Sequence, residues 1–407
     1  MEKRRQPKLR FPEFLGKWEK KKLGTIAKKN NIKNKDESVT NVFTNSAIQG
    51  IVNQQDYFDR DIANQNNLGG YYVVQKDDFI YNPRISKAAP VGPIKRNHLG
   101  EGVMSPLYSI FRFQKSDLIF LEFYFESTFW HKYMKGIANY GARHDRMNIT
   151  NEDFFKMPIP VPSLPEQQKI ASFLSSVDSK IEKLEKKKTL LDDYKRGVMQ
   201  KIFSQEIRFR GEDGKEYPEW VEKRLGDMAH EVMYGMNAAA TEFDGKHKYL
   251  RITDIDENSN KFAPNPLVSP LGEIEDKFKL KNNDLLFTRT GASTGKSYLY
   301  SDNDEELYFA GFLIKFSINQ EHNSKFIFYN TLLKKYKNWV YVMSMRSGQP
   351  GINAEEYKSF KIDLPCLQEQ EKIANFLSGI DRKIELVERE TERMKEFKKG
   401  LLQQMFV

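Results

Sequence analysis

Residues 164–203 read LPEQQKIASFLSSVDSKIEKLEKKKTLLDDYKRGVMQKIF, and residues 367–406 read LQEQEKIANFLSGIDRKIELVERETERMKEFKKGLLQQMF. At a constant offset of 203, without a gap, 18 of the 40 positions are identical. Such self-similarity is the signature of a duplicated structural unit. Ile170, Leu174, Val177, Ile181, Leu184, Leu191 and Val198 fall on alternating four-three spacing, interrupted at Lys188 and Lys195. Ile373, Leu377, Ile380, Ile384, Val387, Met394 and Leu401 repeat the stripe. A seam of that period predicts two long helices that pack against each other. Each is about 60 Å long at 1.5 Å per residue. Ser163-x-x-Glu166 supplies a capping box for the first. Cys366 fills the matching place in the second, where the thiol is read as a weak helix-start residue and not a nucleophile.

The repeat extends upstream. Trp18–Gly24 (WEKKKLG) parallels Trp220–Gly226 (WVEKRLG) at an offset of 202. Each half is therefore a globular stretch followed by a helix, and the expected class is α+β. The boundaries are 1–162 for the first head, 163–203 for the central helix, 204–363 for the second head and 364–407 for the C-terminal helix. Two like halves relate naturally by a pseudo-two-fold axis, which makes the helix pair an antiparallel coiled coil. Several shared residues lie off the apolar seam: Glu166, Gln167, Lys169, Lys180 and Glu182 recur as Glu369, Gln370, Lys372, Lys383 and Glu385. They are either left over from the duplication or one docking surface presented twice. On the second reading Glu166, Gln167, Lys169, Glu369, Gln370 and Lys372 bind a partner.

The heads show short strand-like runs at Tyr71–Val74, Phe79–Tyr81 and Tyr108–Phe113, then at Tyr249–Ile252, Leu285–Arg289 and Leu307–Phe316. Lys76–Tyr81 resembles Asn282–Phe287, and Asn148-Ile149 parallels Gly351-Ile352. Elsewhere the heads differ far more than the helices do, which suggests that each reads something different. In the second head, residues 285–300 read LLFTRTGASTGKSYLY, a stretch that resembles a phosphate-binding loop. That loop needs four residues between its glycines and a helix after its lysine. Gly291 and Gly295 are separated by three, and a strand-like Tyr298-Leu299-Tyr300 follows. A nucleotide is excluded on both counts.

Arg289, Ser293 and Lys296 in this loop, with Arg346 and Gln349 in a later one, offer cations, a hydroxyl and an amide suited to phosphates and base edges. The first head carries a comparable pair of loops, with Arg84 and Lys87 in one and Arg143, His144 and Arg146 in the other. A single such loop reads as an ordinary turn. Two at matching places in both heads point to double-stranded DNA.

Composition agrees and also excludes. Net charge is +9, and 30% of residues are charged, compatible with a polyanionic partner. One cysteine in 407 residues forms no internal disulfide and suggests a reducing compartment. No run of 18 apolar residues exists, and MEKRRQPKLR lacks the apolar centre of a signal peptide, so a cytoplasmic protein is expected. Asn82-Pro83-Arg84-Ile85 departs from the [N/D]-P-P-[Y/F] of adenine methyltransferases in its last two residues. Asp254-x-Asp256-x-Asn258 begins like a calcium loop but has Ser259 and Asn265 where glycine and glutamate belong. Adjacent carboxylates such as Asp77/Asp78 and Asp192/Asp193 point apart. No metal site or active site is expected, and the chain is not read as an enzyme.

These residues together resemble the specificity subunit of Type I restriction–modification systems. The resemblance is carried by LPEQQKIASFL at 164–174 and LQEQEKIANFL at 367–377. Further matches are LRFPEFLGKWEKKKLG at 9–24, YPEWVEKRLG at 217–226, YLRITDID at 249–256, DFIYNPR at 78–84 and DLLFTRTG at 284–291. It covers the whole chain in the family's order. It implies that each head is a target recognition domain reading one half of a split, asymmetric DNA sequence. The paired helices would act as a ruler for the gap and as a platform for two methylation subunits. Those subunits would carry S-adenosylmethionine and methylate adenine N6, and restriction subunits would use ATP and magnesium. Two alternatives stay open: service to a fused nuclease–methyltransferase, or a coiled-coil scaffold with two protein-binding heads.

Overall fold

The computed structural model describes residues 6–57, 68–139, 145–346 and 348–407. It divides into two compact units, one of Met1–Lys186 with Val387–Val407 and one of Lys187–Leu386. The fold class is α+β, as expected. The long helices run Leu164–Phe203 and Leu367–Gln404, within two residues of the bounds read from the repeat. Among the described residues, no helix is long and apolar enough to cross a membrane.

In the first unit, a four-stranded antiparallel sheet has the order Ala27–Asn30, Ser109–Phe113, Phe79–Tyr81, Ile94–Arg96. In the second, the order is Ala229–Tyr234, Leu313–Ile318, Asp284–Thr288, Ser297–Leu299. Strand for strand the two sheets are the same. The inner strand of each is buried throughout, and so carries an apolar run instead of an alternation. The run Leu307–Phe316 is two strands, not one. Leu307–Phe309 pairs in parallel with Lys248–Leu250, and the chain turns at Ala310–Phe312 before Leu313–Ile318 joins the main sheet.

A duplicated turn launches each inner strand. Asp77 and Asn283 occupy the left-handed region at φ 73° and 72°, which short polar side chains tolerate best. The buried carboxylates that follow, Asp78 and Asp284, accept the backbone N–H groups of Gln75 and Lys281, each at 2.8 Å. Each sheet is sealed below by an aromatic stack. Tyr81 lies on Phe154 at 5.0 Å, and Phe287 lies on Tyr357 at 4.8 Å. Phe154 and Tyr357 belong to short helices, Asn151–Phe155 and Ala354–Lys358, capped by the side chains of Thr150 and Asn353. A last two-stranded ladder leads into each long helix: Glu19–Lys22 with Pro158–Val161, and Val221–Arg224 with Lys361–Leu364.

Segments of both long helices lie in each unit. In the first, Ile170, Leu174, Val177 and Ile181 share a core with Leu401, Leu402, Met405 and Phe406. Ion pairs Asp178–Lys398, Lys180–Glu390 and Glu185–Lys395, at 2.7–2.9 Å, flank it. Positions low on one segment meet positions high on the other, so the segments run antiparallel within the unit. In the second, Met199 and Ile202 join Ile373, Leu377, Ile380 and Ile384.

Candidate nucleic-acid interface

In the second unit the strand Asp284–Thr288 and the strand Ser297–Leu299 form a hairpin whose tip is the glycine-rich loop. Gly291–Ser293 makes one 3-10 turn, and Gly291 and Gly295 take φ of 76° and 89°. The Thr288 hydroxyl donates to the Ser293 carbonyl and accepts from the Lys296 N–H, bracing the tip from inside. Gly295 has a second reason to be glycine, since a Cβ there would lie 2.3 Å from Val340. A strand follows Lys296 where a nucleotide-binding loop requires a helix, in keeping with the sequence reading.

The later loop is laid directly on this one. Thr290 bridges to Gly351, the Gly291 N–H donates to the Pro350 carbonyl at 3.0 Å, and the Ile352 N–H donates to the Arg289 carbonyl at 2.9 Å. The first head repeats the arrangement. Arg84 bridges to Arg146, the Ile85 N–H donates to the Asp145 carbonyl at 3.0 Å, and the Met147 N–H donates to the Pro83 carbonyl at 2.9 Å. The two loops singled out in each head therefore form one continuous rim in each.

Within the rims the residues differ in what they can offer. Arg289 stacks over Tyr234, with its guanidinium carbon 4.7 Å from the ring centre, and stays half-buried. Gln349 is exposed beside Gly291, and Ser293 is half-buried. Arg84 is largely exposed and 3.7 Å from Asp145, Arg146 lies 4.0 Å from the same carboxylate, and Lys87 is exposed. Arg143 and His144 lie outside the described residues.

Two of the expected cations already have partners within the unit. The Lys296 ammonium, with 13% of its side chain exposed, donates to the Ile255 carbonyl at 3.0 Å and faces Glu257 at 3.6 Å. Arg346 is held by both oxygens of Glu356, at 2.6 and 2.7 Å, and by the Gly351 carbonyl at 3.1 Å. Both are bonded into the rim, and 43% of the Arg346 side chain stays exposed. What sequence reading missed is apolar: Tyr234 under Arg289, and Phe312, 58% exposed, whose carbonyl accepts the Arg289 N–H at 3.0 Å. Phe312 was hidden inside a run taken as continuous strand.

The partner-docking set needs a larger correction. Glu166, Gln167, Glu369 and Gln370 are all buried, at 3% exposure or less. Glu166 accepts two bonds from Arg10, at 2.7 and 2.8 Å, and one from the Trp18 indole at 3.0 Å. Glu369 accepts from Arg208 at 3.0 and 3.3 Å and from the Trp220 indole at 3.2 Å. Each carboxylate pushes its arginine further toward the charged form. The glutamines do a second job. Gln167 accepts the Asp117 N–H and donates to the Pro162 carbonyl, and Gln370 accepts the Asn323 N–H and donates to the Pro365 carbonyl, all at 2.9 Å. Asp117 and Asn323 cap the head helices Leu118–Glu126 and Ser324–Thr331. The recurring Glu-Gln is thus a buried joint between each head and its long helix. These four side chains offer no docking surface, because their polar atoms are spent inside the unit.

Lys169 and Lys372 sit beside the joint. Lys169 lies 3.7 Å from Glu13 and over the Phe11 ring, and Lys372 donates to the Arg210 carbonyl at 2.7 Å and lies over the Tyr217 ring. Glu166 also turns away from the expected capping box, toward Arg10 and Trp18. The signal for the joint was legible in the repeated dipeptides Arg10-Phe11 and Arg208-Phe209, whose phenylalanines make T-shaped contacts with Phe173 and Phe376.

Comparison with known proteins returns a consistent picture. The family model described as Type I restriction modification DNA specificity domain matches twice, over residues 16–192 and 217–396. The MjaVIII specificity subunit of a Type I restriction enzyme from Methanocaldococcus jannaschii is 26% identical over 270 residues, which are 63% of this chain and 62% of that protein. The putative MjaX specificity subunit from the same organism is 25% identical over 284 residues, 67% of this chain and 64% of that protein. The chain thus spans a little under two thirds of the length of these relatives. The crystal structure of the S subunit of a Type I restriction–modification system from M. genitalium aligns over 99% of both chains, at 16% identity and a TM-score of 0.56. That likeness is one of fold.

Proposed function

Since the chain belongs to the family of the Type I restriction modification DNA specificity domain, which it carries twice, we propose that it is the sequence-reading subunit of a Type I restriction–modification complex. Each head, within residues 1–162 and 204–363, reads one half of a split, asymmetric DNA target. The observation that carries this reading is the duplicated rim: two loops joined by backbone bonds at the same place in both heads, with different side chains in each. A shared frame with divergent tips is what two readers of different half-sites require.

Arg289, placed over the Tyr234 ring, and Gln349 are the base-reading candidates of the second head. Arg84 and Arg146, with Arg143 and His144 in the loop of Arg146, serve the first, where Lys87 is a candidate phosphate contact. Ser293 is a candidate phosphate contact, and Lys296 and Arg346 act by holding the rim in shape. The helix pair, as an antiparallel coiled coil, sets the gap between half-sites and carries two methylation subunits. S-adenosylmethionine, and ATP with magnesium, belong to those methylation subunits and to the restriction subunits, and this chain performs no catalysis.

The test is methylation mapping by long-read sequencing, with the chain co-expressed with its methylation subunit in a host that lacks other methylation. A split adenine-methylated motif of fixed gap is expected. No methylation from a soluble, assembled complex overturns the reading in favour of a scaffold with protein-binding heads.

A further inference from the structure

The apolar seam of the long helices is broken at Lys195 and Lys398, which are the same position in the two copies. Both lysines are mostly buried, with 18% and 17% of their side chains exposed. Each meets the same aspartate of the other copy: Lys195 lies 2.5 Å from Asp381, and Lys398 lies 2.7 Å from Asp178. Each also lies over an aromatic ring of a head helix, Lys195 over Tyr329 at 5.3 Å and Lys398 over Phe123 at 5.1 Å. The head helix adds a polar bond in both units. The Tyr329 hydroxyl donates to Asp381 at 2.7 Å, and Lys398 reaches Glu126 at 2.8 Å. One polar joint of central helix, C-terminal helix and head helix is thus built twice, from two pairs of identical residues.

A heptad seam alone leaves register ambiguous, because a shift of seven residues returns apolar side chains to apolar holes. The ion pairs remove that degeneracy. Shifting the antiparallel pair by one heptad in one direction sets Lys195 against Ala374 and Lys398 against Ala171, both buried. In the other direction each lysine meets a glutamate, Glu388 or Glu185, but Asp178 and Asp381 are driven against the buried Met405 and Ile202. Either shift also lifts the lysines off Phe123 and Tyr329. A charge left unpaired among apolar groups is what proteins avoid most strongly. We propose that the Asp178–Lys398 and Asp381–Lys195 pairs are positioning residues that lock the register of the two long helices. Through that register they fix the gap of the DNA target. The second step rests on the ruler reading above.

The test places spin labels on the exposed positions Ser172 and Glu392 of the first unit, through Ser172→Cys and Glu392→Cys in a Cys366→Ser background. Distances are measured by pulsed EPR in the full chain. The otherwise native sequence is expected to give one distance. The Lys195→Leu/Lys398→Leu variant, whose seam is continuous, is expected to give two or more, because each heptad step slides one helix about 10 Å along the other at 1.5 Å per residue. Its melting temperature should be held or raised, because apolar replacement of a buried pair is commonly neutral or stabilising. Lys195→Arg/Lys398→Arg, which keeps the charges, should restore a single distance. Should the leucine variant fail to fold, Asp178→Asn/Asp381→Asn removes the pairing at constant shape and carries the same expectation. A single unchanged distance in the leucine variant, or in the asparagine variant that replaces it, overturns the register lock. Methylation mapping then separates the two steps. The relaxed variants should methylate the same half-sites at additional gaps about three base pairs apart, at 3.4 Å per step. Several distances with one unchanged gap retain the lock and overturn its coupling to the target.

Discussion

Glu166→Ala separates a structural joint from a docking surface. The carboxylate is 2% exposed and takes three N–H groups, two from Arg10 and one from Trp18. Arg10 itself has 12% of its side chain exposed, so removing the acid leaves a guanidinium in a mostly dry site. Breaking a buried pair from one side costs about 3–5 kcal/mol. In a unit of this size that lowers the midpoint of melting by about 6–20 °C, at roughly 2–4 °C per kcal/mol. Glu166→Gln keeps an acceptor for Trp18 and one bond to Arg10, and should cost about 1.5–3 kcal/mol. Arg10→Met/Glu166→Met should recover much of the loss, since neither charge is then stranded. Glu369→Ala provides the internal comparison: its bonds to Arg208 are longer, so its effect should be equal or smaller. The assay is urea unfolding of these four variants, with Arg10→Ala and Arg10→Ala/Glu166→Ala added to close a double-mutant cycle between positions 10 and 166. A solvated docking glutamate would change stability by about 0.5 kcal/mol or less. A cost below about 1 kcal/mol for Glu166→Ala, or additive effects of Arg10→Ala and Glu166→Ala, refutes the joint.

On the rims, Arg289→Ala should cost about 1–3 kcal/mol of DNA affinity and relax one base of one half-site, whereas Lys87→Ala should weaken all sequences alike and reduce the salt slope by about one. Competition binding at several salt concentrations reads both, and an Arg289→Ala protein with unchanged target and affinity removes the reading of that loop. Arg346→Ala is expected to lower stability and leave the salt slope alone, because its charge is already taken by Glu356. A four-residue insertion after Lys187 should change the methylated gap and leave both half-sites intact. The opposite pattern in the methylome would sink the ruler. The His131 and His322 imidazoles are both held below their ordinary 6.5, by burial first and then by a neighbouring lysine, Lys135 or Lys223. The folded state therefore binds fewer protons than the unfolded chain. Their contribution is present above about pH 6.5 and is lost as pH falls through the lower folded values. Melting curves between pH 8 and 5 should show the loss shrink in His131→Gln.

The helices were legible because heptad spacing over forty residues is a long, redundant signal, and each apolar position confirms the others. The same sequence also shows Lys195 interrupting the seam, but only the structure supplies its partner, since Asp381 lies 186 residues away. Recurrence itself proved ambiguous. Glu166, Gln167, Glu369 and Gln370 recur because each half needs the same buried joint. Periodicity placed them off the heptad seam, but a position off one seam is not thereby exposed when a second body packs on the helix. Arg10 and Trp18 cover that face in one unit, and Arg208 and Trp220 cover it in the other.

The heads hide their kinship for a different reason. Their strands are three to six residues long, too short for periodicity to distinguish them from coil. What is common to both is the order of four strands, a polar residue at positive φ before a buried aspartate, and an aromatic pair beneath. Each of these tolerates many sequences, so the duplication survives in geometry after it has faded from the letters. The tips are free to diverge because the rim is held by backbone bonds: Ile85 to Asp145 in one head, Ile352 to Arg289 in the other. A side chain there that is not itself bonded into the rim, as those of Lys296 and Arg346 are, can change without unmaking the frame. A recognition surface built on main-chain bonds can therefore change its target without refolding, whereas Glu166 and Lys398, whose bonds are made by side chains, cannot change alone.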